Sequence, residues 1–375
     1  MLLANTDWYL ANFRFELASA LRDSGAEVNC IAPEGRHLSW LSEQGVQTHA
    51  LDLGPDSYSF TENRRAYKHL VSLYQQIKPD LAHHFTPRCV VLGSMAARKT
   101  KVPSVVNALT GLGHIFTSNS LKSKLARPVL RGLLKRNLNG DNRSVIFQNQ
   151  DDMDELLTAR VVNADRCHLI RGSGVNTGKF RPSTAVREDQ EIRILFASRL
   201  IAEKGINELV GAMKDVAKAY PQAVLWIAGE PYAQNPTSLT GQDLQRLKKL
   251  PYVKLLGHQD DMVGVLSQVD IVALPSYREG TPKILLEAAS CGLPIVATDI
   301  AGCRGLVVHG VNGYLVPLRD RVHLSESIGD LCGDAALRAK MGLRGREIVE
   351  TGFSSEIVIR DTLKAYKRLL GAHPS

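Results

Sequence analysis

Two cations and two carboxylates, spaced around two short loops, are the residues of this chain best suited to chemistry. In Phe196-Ala-Ser-Arg199-Leu-Ile-Ala-Glu-Lys204-Gly205 an apolar run leads out into Arg199, a short loop, and Lys204 at the opening of a helix. Arginine offers a planar fork of donors to phosphate oxygens, and lysine a compact charge. Held at the edge of a partly dry site, such a pair stabilises a departing nucleoside diphosphate more than the intact substrate, because the leaving group gains charge as its bond breaks. The competing reading is of two solvated loop residues, which most Arg and Lys side chains are.

A second stretch weighs against that reading. In Ile271-Val-Ala-Leu-Pro-Ser276-Tyr-Arg-Glu279-Gly280-Thr281-Pro282-Lys283-Ile-Leu-Leu-Glu287, an apolar strand ends at Pro275 and a glycine-containing loop follows. Pro282 suits the first turn of a helix, where a missing N–H costs nothing. The amides of Gly280, Thr281 and Lys283 would then point outward as a seat for an anion, favoured by the helix dipole. Glu287 falls about one turn inside this helix, and Glu279 precedes it in the loop. Carboxylates so near a phosphate seat are unfavourable unless they accept hydrogen bonds from hydroxyls, which suits a ribose for Glu287 and a sugar for Glu279. The alternatives are a dipole-complementing carboxylate at 279 and an ordinary exposed helix residue at 287. The latter is awkward beside Ile284, Leu285, Leu286, Ala288 and Ala289.

Short β-rich runs alternating with amphipathic helical stretches must position these residues. The strand signal falls at Leu2–Ala4, Glu27–Ala32, Val46–Leu53, Asp80–His84, Ser104–Ala108 and Ser144–Gln148, with helices near Trp8–Ser24, His37–Gln44 and Glu62–Ile77. After a linker around Gly178–Glu191 it resumes at Ile192–Ser198, Ala223–Ala228, Val253–Leu256, Ile271–Leu274, Pro294–Thr298 and Tyr314–Val316, with a helix over Lys204–Tyr220. This rhythm predicts an α/β protein of two doubly wound, Rossmann-like domains facing a central cleft, with ligands at the carboxyl ends of the strands. The expected domains are residues 1–178 and 179–353, with a closing helix over 354–375 that crosses back to the first domain.

The length of 375 residues suits two domains of moderate size. No apolar run approaches the roughly 18 residues of a membrane span, and the N-terminus has no basic leader, so a cytoplasmic protein is expected. Six cysteines without a C-x-x-C pair argue against a zinc ribbon or a disulfide framework. The net charge of +8 calls for an anionic partner without saying which.

With these residues in place, the chain resembles glycosyltransferase family 4. The resemblance rests on E-G-x-P-x-x-x-x-E over Glu279–Glu287, on A-S-C-G-L-P-I-V-A-T-D after it, and on the later G-V-N-G-Y-L-V-P. It implies the GT-B fold, retention of anomeric configuration and a nucleotide-sugar donor as substrate, with no cofactor and no metal. Arg199, Lys204 and Glu279 correspond to its catalytic positions. Gly280, Thr281, Pro282, Lys283 and Glu287 correspond to its donor-binding loop and helix, and Gly257 and His258 to the place where the base is cradled. The N-terminal half, through Asn5-Thr-Asp-Trp-Tyr-Leu-Ala-Asn-Phe-Arg14, Asn107-Ala-Leu-Thr-Gly-Leu-Gly-His114 and Phe147-Gln-Asn-Gln-Asp-Asp, is similar to transferases that build bacterial surface polysaccharides. Those use UDP-sugars and acceptors on polyprenyl diphosphate, which implies an acceptor side formed by Asn5, Thr110, His114 and His84. Gly305 stands where that branch commonly carries a glutamate.

Other signals carry less. His83 and His84 end a strand, where packing competes with ligand contact. Asp152-Met-Asp154 reads as the metal clamp D-x-D, yet acids at a helix start are expected from the dipole alone. Gly111-Leu-Gly113-His-Ile-Phe116 lacks the third glycine of a dinucleotide fingerprint. Leu121–Leu138 is a basic amphipathic stretch, suited either to an anionic membrane at the inner face of the cell or to packing on its own domain. It lacks the aromatics that single-stranded nucleic acid would use, so no nucleic-acid partner is expected. Two rival functions remain at this level: a nucleotide-sugar epimerase or hydrolase with the same phosphate grip, and a non-catalytic basic binding protein.

Overall fold

The computed structural model describes residues 1–54, 59–111, 121–184, 187–233 and 235–371. The chain forms two compact units, one of residues 1–173 together with Val358 onward, the other Gly174–Ile357. The helix Ser355–Gly371 spans the second division, so most of it belongs to the first unit.

In the first unit, β1 (Leu2–Leu3), β2 (Asn29–Ala32), β3 (Gln47–Ala50), β4 (Leu81–Phe85), β5 (Ser104–Leu109), β6 (Arg143–Phe147) and β7 (Cys167–Leu169) pair in the order β3-β2-β1-β4-β5-β6-β7. In the second, β8 (Ile192–Ala197), β9 (Ala223–Ala228), β10 (Val253–Gly257), β11 (Ile271–Leu274), β12 (Ile295–Thr298) and β13 (Gly313–Val316) pair in the order β10-β9-β8-β11-β12-β13. Every pairing is parallel. Both sheets are doubly wound, and their order reverses between β1 and β4 and between β8 and β11. Ligands of such sheets sit at the carboxyl ends of the strands flanking that reversal.

The central strands are apolar on both faces, as parallel sheets covered by helices require. Leu2 packs into one core of the first unit with Ala32, Phe85, Tyr366 and Leu369, while Leu3 packs into another with Ile31, Leu70 and Val105. The period of two along a strand sends neighbours to opposite faces. A single larger core fills the second unit, including Ile194, Phe196, Leu225, Val272, Leu285 and Val296.

The same alternation decides the fate of His83 and His84, which pair in register with Leu2 and Leu3. His83 faces the C-terminal helix, and its Nδ1 lies 2.6 Å from the Tyr366 hydroxyl. His84 faces the other way. Its Nε2 meets the Tyr74 hydroxyl at 3.0 Å and its Nδ1 meets Asn107 Oδ1 at 2.8 Å. A Cβ added to Gly93 of the Pro87–Thr100 helix would lie 2.8 Å from the His84 ring, so that helix seals it. With 0% exposure, His84 is a core residue, and the expectation that it meets an acceptor is corrected.

Three local differences from the sequence reading have physical reasons. β7 has only three half-buried residues, too short a run for a periodic signal. The expected Trp8–Ser24 helix contains a π-helical turn over Leu10–Arg14. Pro282 is the N-cap, with φ −71° and ψ 118°, rather than the first helical residue.

Candidate functional site

The second unit's reversal point is where β8 and β11 deliver their loops. After β8 come Ser198 and Arg199, then a 3-10 turn over Ala202–Lys204, then Gly205 at φ 74° and the helix Ile206–Ala219. A Cβ on Gly205 would stand 2.0 Å from the Pro275 carbonyl oxygen, so only glycine lets this loop lie against the exit of β11. The Tyr277 amide donates to the Glu203 carbonyl at 2.8 Å, locking the two loops together.

This contact brings together side chains 75 positions apart in sequence: Lys204 Nζ lies 2.5 Å from Glu279 Oε1. Both side chains are nearly covered, at 15% and 12% exposure, so the pair is set in place rather than solvated. Arg199 differs. It is exposed, its guanidinium carbon stands 5.0 Å from the centre of the Tyr232 ring, and among the described residues it has no ion pair. Tyr232, in the loop after β9, was not identified from sequence. The proximity of β8 and β9 in the sheet order is the signal that finds it.

The helix Lys283–Ser290 starts from Pro282, which has no N–H and no hydroxyl and makes no side-chain cap. A Cβ on Gly302 would fall 2.4 Å from the carbonyl oxygens of Glu279 and Gly280, so the short helix Ala301–Arg304 supports the loop from behind. Glu287 lies one turn in, with 7% exposure, 3.7 Å from Lys283 Nζ. Desolvation pushes its carboxyl up to about 7, against the pull of Lys283 and Lys179. Shared protonation near neutrality lets it donate to or accept from a hydroxyl.

Gly257 and His258 end β10, two strands from β8 and so about 10 Å along the same carboxyl edge. Gly229 joins the edge together: its amide donates to the Gly257 carbonyl at 2.7 Å, and a Cβ there would stand 1.9 Å from the Ser198 carbonyl oxygen. The His258 ring is half exposed and 3.1 Å from Asp260. The second unit thus gathers Arg199, Lys204, Gly257, His258, Glu279–Lys283 and Glu287 at one edge of one sheet.

In the first unit, Asn5 is exposed just after β1, and Thr110 is half-buried just after β5, both at the carboxyl edge. His114 and the glycine motif from Leu112 to Phe116 lie outside the described residues. Sequence reasoning missed Arg14. It is buried to 6% on the π-helical turn, donates to the Tyr9 hydroxyl at 2.8 Å, and lies 4.4 Å over the Phe85 ring. The D-x-D motif is a helix start: the Asp152 amide donates to Asn149 Oδ1 at 2.8 Å, and Asn149 Nδ2 donates to Asp152 Oδ2 at 3.0 Å. The basic stretch is a helix over Leu121–Leu138, with Pro128 inside it and Lys135 and Arg136 in its last turn. Among the described residues no helix is long and apolar enough to cross a membrane.

Residues 191–334 match the family model described as Glycosyl transferases group 1, and residues 1–149 match the one described as Glycosyl transferase 4-like. With two doubly wound parallel sheets, the chain belongs to the glycosyltransferases of the family 4-like, GT-B class. It is 22% identical over 360 residues to the capsular polysaccharide biosynthesis glycosyltransferase CapM of Staphylococcus aureus, covering 93% of this chain and 92% of the relative. It is 24% identical over 373 residues to the N,N'-diacetylbacillosaminyl-diphospho-undecaprenol alpha-1,3-N-acetylgalactosaminyltransferase of Campylobacter jejuni, covering 96% of each. Among solved structures, Alr3699/HepE of Anabaena in complex with UDP and glucose shares the fold, with a TM-score of 0.80, 20% identity and 98% of each chain covered.

Proposed function

We propose that this enzyme transfers a glycosyl unit from a UDP-linked sugar, with retention, to a hydroxyl of a saccharide carried on a polyprenyl diphosphate, in the assembly of a bacterial surface polysaccharide. The observation that carries the proposal is the nearly covered Lys204–Glu279 pair set beside the helix that starts from Pro282 at the β8/β11 reversal. In this reading the donor diphosphate lies against Arg199, Lys204 and the amides of Gly280 to Lys283. Glu279 holds Lys204 in position and accepts from the donor sugar, and Glu287 meets the ribose. Charge that develops on the departing diphosphate is met by fixed cations and amides that need no reorganisation. The diphosphate itself helps to take the proton from the attacking hydroxyl on the same face, so retention needs no carboxylate nucleophile and no covalent glycosyl-enzyme. These protein charges do the work that a metal would otherwise supply.

A relative named for a diphospho-undecaprenol acceptor and a fold neighbour solved with UDP and glucose support the choice of substrates. The basic helix Leu121–Leu138 gives such an enzyme a means of resting on the anionic inner face of the cell membrane, where that acceptor resides. Incubation with a panel of UDP-sugars, with and without a polyprenyl-diphosphate saccharide, tests the reading. UDP release that depends on the acceptor, with the anomeric configuration kept in the product, is the expected result. Equal release without acceptor points to a hydrolase, and interconversion of the sugar to an epimerase; both use the same grip.

A further inference from the structure

At the amino ends of β5 and β6, at the opposite edge of the first sheet from Thr110, lies a cavity of about 550 Å³. Its lining includes Arg98, Lys101, Asp141, Asn142 and Arg143. Arg143 opens β6 and is buried to 5%. Its Nη1 is fully covered and has no hydrogen-bonding partner. No carboxylate pairs with it among the described residues. Asp141, which also lines the cavity, has a fully exposed carboxylate 3.0 Å from Arg166. Desolvation, with a smaller contribution from the Arg98 cation, lowers Arg143 to about 10. A buried cation facing a like charge is held at a cost unless an anion joins it.

Helix ends explain part of this grouping but not all of it. Pro87–Thr100 and Leu121–Leu138 both finish here, and cations complement such ends. Arg98 serves that purpose directly by donating to the Arg136 carbonyl. Arg143 donates its side chain to no carbonyl among the described residues, although it lines the cavity. A planar fork, a second guanidinium and a lysine at one mouth match the charge and the several acceptor oxygens of a phosphate group.

We propose that the cavity between Arg98, Lys101 and Arg143 binds a phosphate oxyanion, at a site separate from the donor grip of the second unit. The chemistry fits a free phosphate or phosphate ester and the phosphodiester of a lipid headgroup equally, and the test separates the two. Inorganic phosphate is titrated calorimetrically into the full chain at fixed ionic strength, and pelleting with vesicles of equal parts phosphatidylglycerol and phosphatidylcholine is measured beside pure phosphatidylcholine. Arg143→Met and Arg98→Met are compared with Arg199→Ala; Arg98 is exposed, so its variant folds even if the buried one does not. Removing one charge-assisted donor should weaken binding about tenfold or more. Phosphate binding that weakens in both cavity variants and survives in Arg199→Ala upholds the site with a soluble ligand. Anion-dependent pelleting that weakens in the same variants upholds it with a headgroup. Wild-type binding in both cavity variants, loss confined to Arg199→Ala, or binding of neither probe by the wild type overturns it.

Discussion

Replacing Glu287 by glutamine removes an ionisation that the fold disfavours, and the size of the effect follows from burial. Desolvation raises this carboxyl from an ordinary 4.5 to about 7. A raised folded value means that the protonated form fits the fold better. The stabilising contribution is therefore whole below pH 4.5 and is lost as pH rises through 7. The loss amounts to about 3 kcal/mol, from a difference of about 2.5 pH units at 1.36 kcal/mol each. Glutamine keeps the shape and cannot ionise. At pH 8 the Glu287→Gln protein should unfold about 6–12 °C above wild type, while at pH 4.5 the two should coincide. Trp226 reports the second unit, because Trp8 and Trp40 lie in the first and are partly exposed. In a Trp8→Phe, Trp40→Phe background, fluorescence melting from pH 4.5 to 8 gives the comparison directly. Parallel pH profiles in the two proteins would refute the burial argument.

The first unit should respond to pH in the opposite sense. Burial holds the His84 ring at about 3, below its usual 6.5, so its contribution is present above pH 6.5 and is lost as pH falls. The cost at pH 5 is about 2 kcal/mol, and nuclear magnetic resonance of histidine-labelled protein should show His84 still neutral there; titration near 6.5 would contradict it. Gly205→Ala forces a Cβ onto the Pro275 carbonyl from a φ of 74°. It should lower stability by about 1–3 kcal/mol in denaturant unfolding and weaken UDP binding. An unchanged midpoint would mean that the two loops are not locked as described.

Most of the architecture was legible because parallel strands buried on both faces read as apolar runs. Ala223–Ala228 and Ile271–Leu274 lie where the pattern puts them, and most other boundaries shift by a residue or two. The burial of Glu287 was visible from its apolar neighbours, which leave no polar face at that point of the helix. The joining of Lys204 to Glu279 was not visible, since it depends on Gly205 admitting the Pro275 carbonyl, a tertiary contact with no local signature. His84 misled because a strand-ending histidine looks the same whether it points to the edge or to a sealing helix. Only the register with Leu3 and the close approach of Gly93 decide it. The burial of Arg14 and of Arg143 escaped notice because a single arginine in sequence says nothing about burial.

The central claim is that cations at the β8/β11 reversal hold the donor diphosphate, and Arg199 tests it most cleanly because it is exposed and unpaired with any carboxylate among the described residues. The measurement is acceptor-dependent UDP release by purified Arg199→Ala, with melting temperature recorded on the same sample. A fall in turnover of about a hundredfold or more at an unchanged melting temperature is expected. Wild-type turnover would contradict the account.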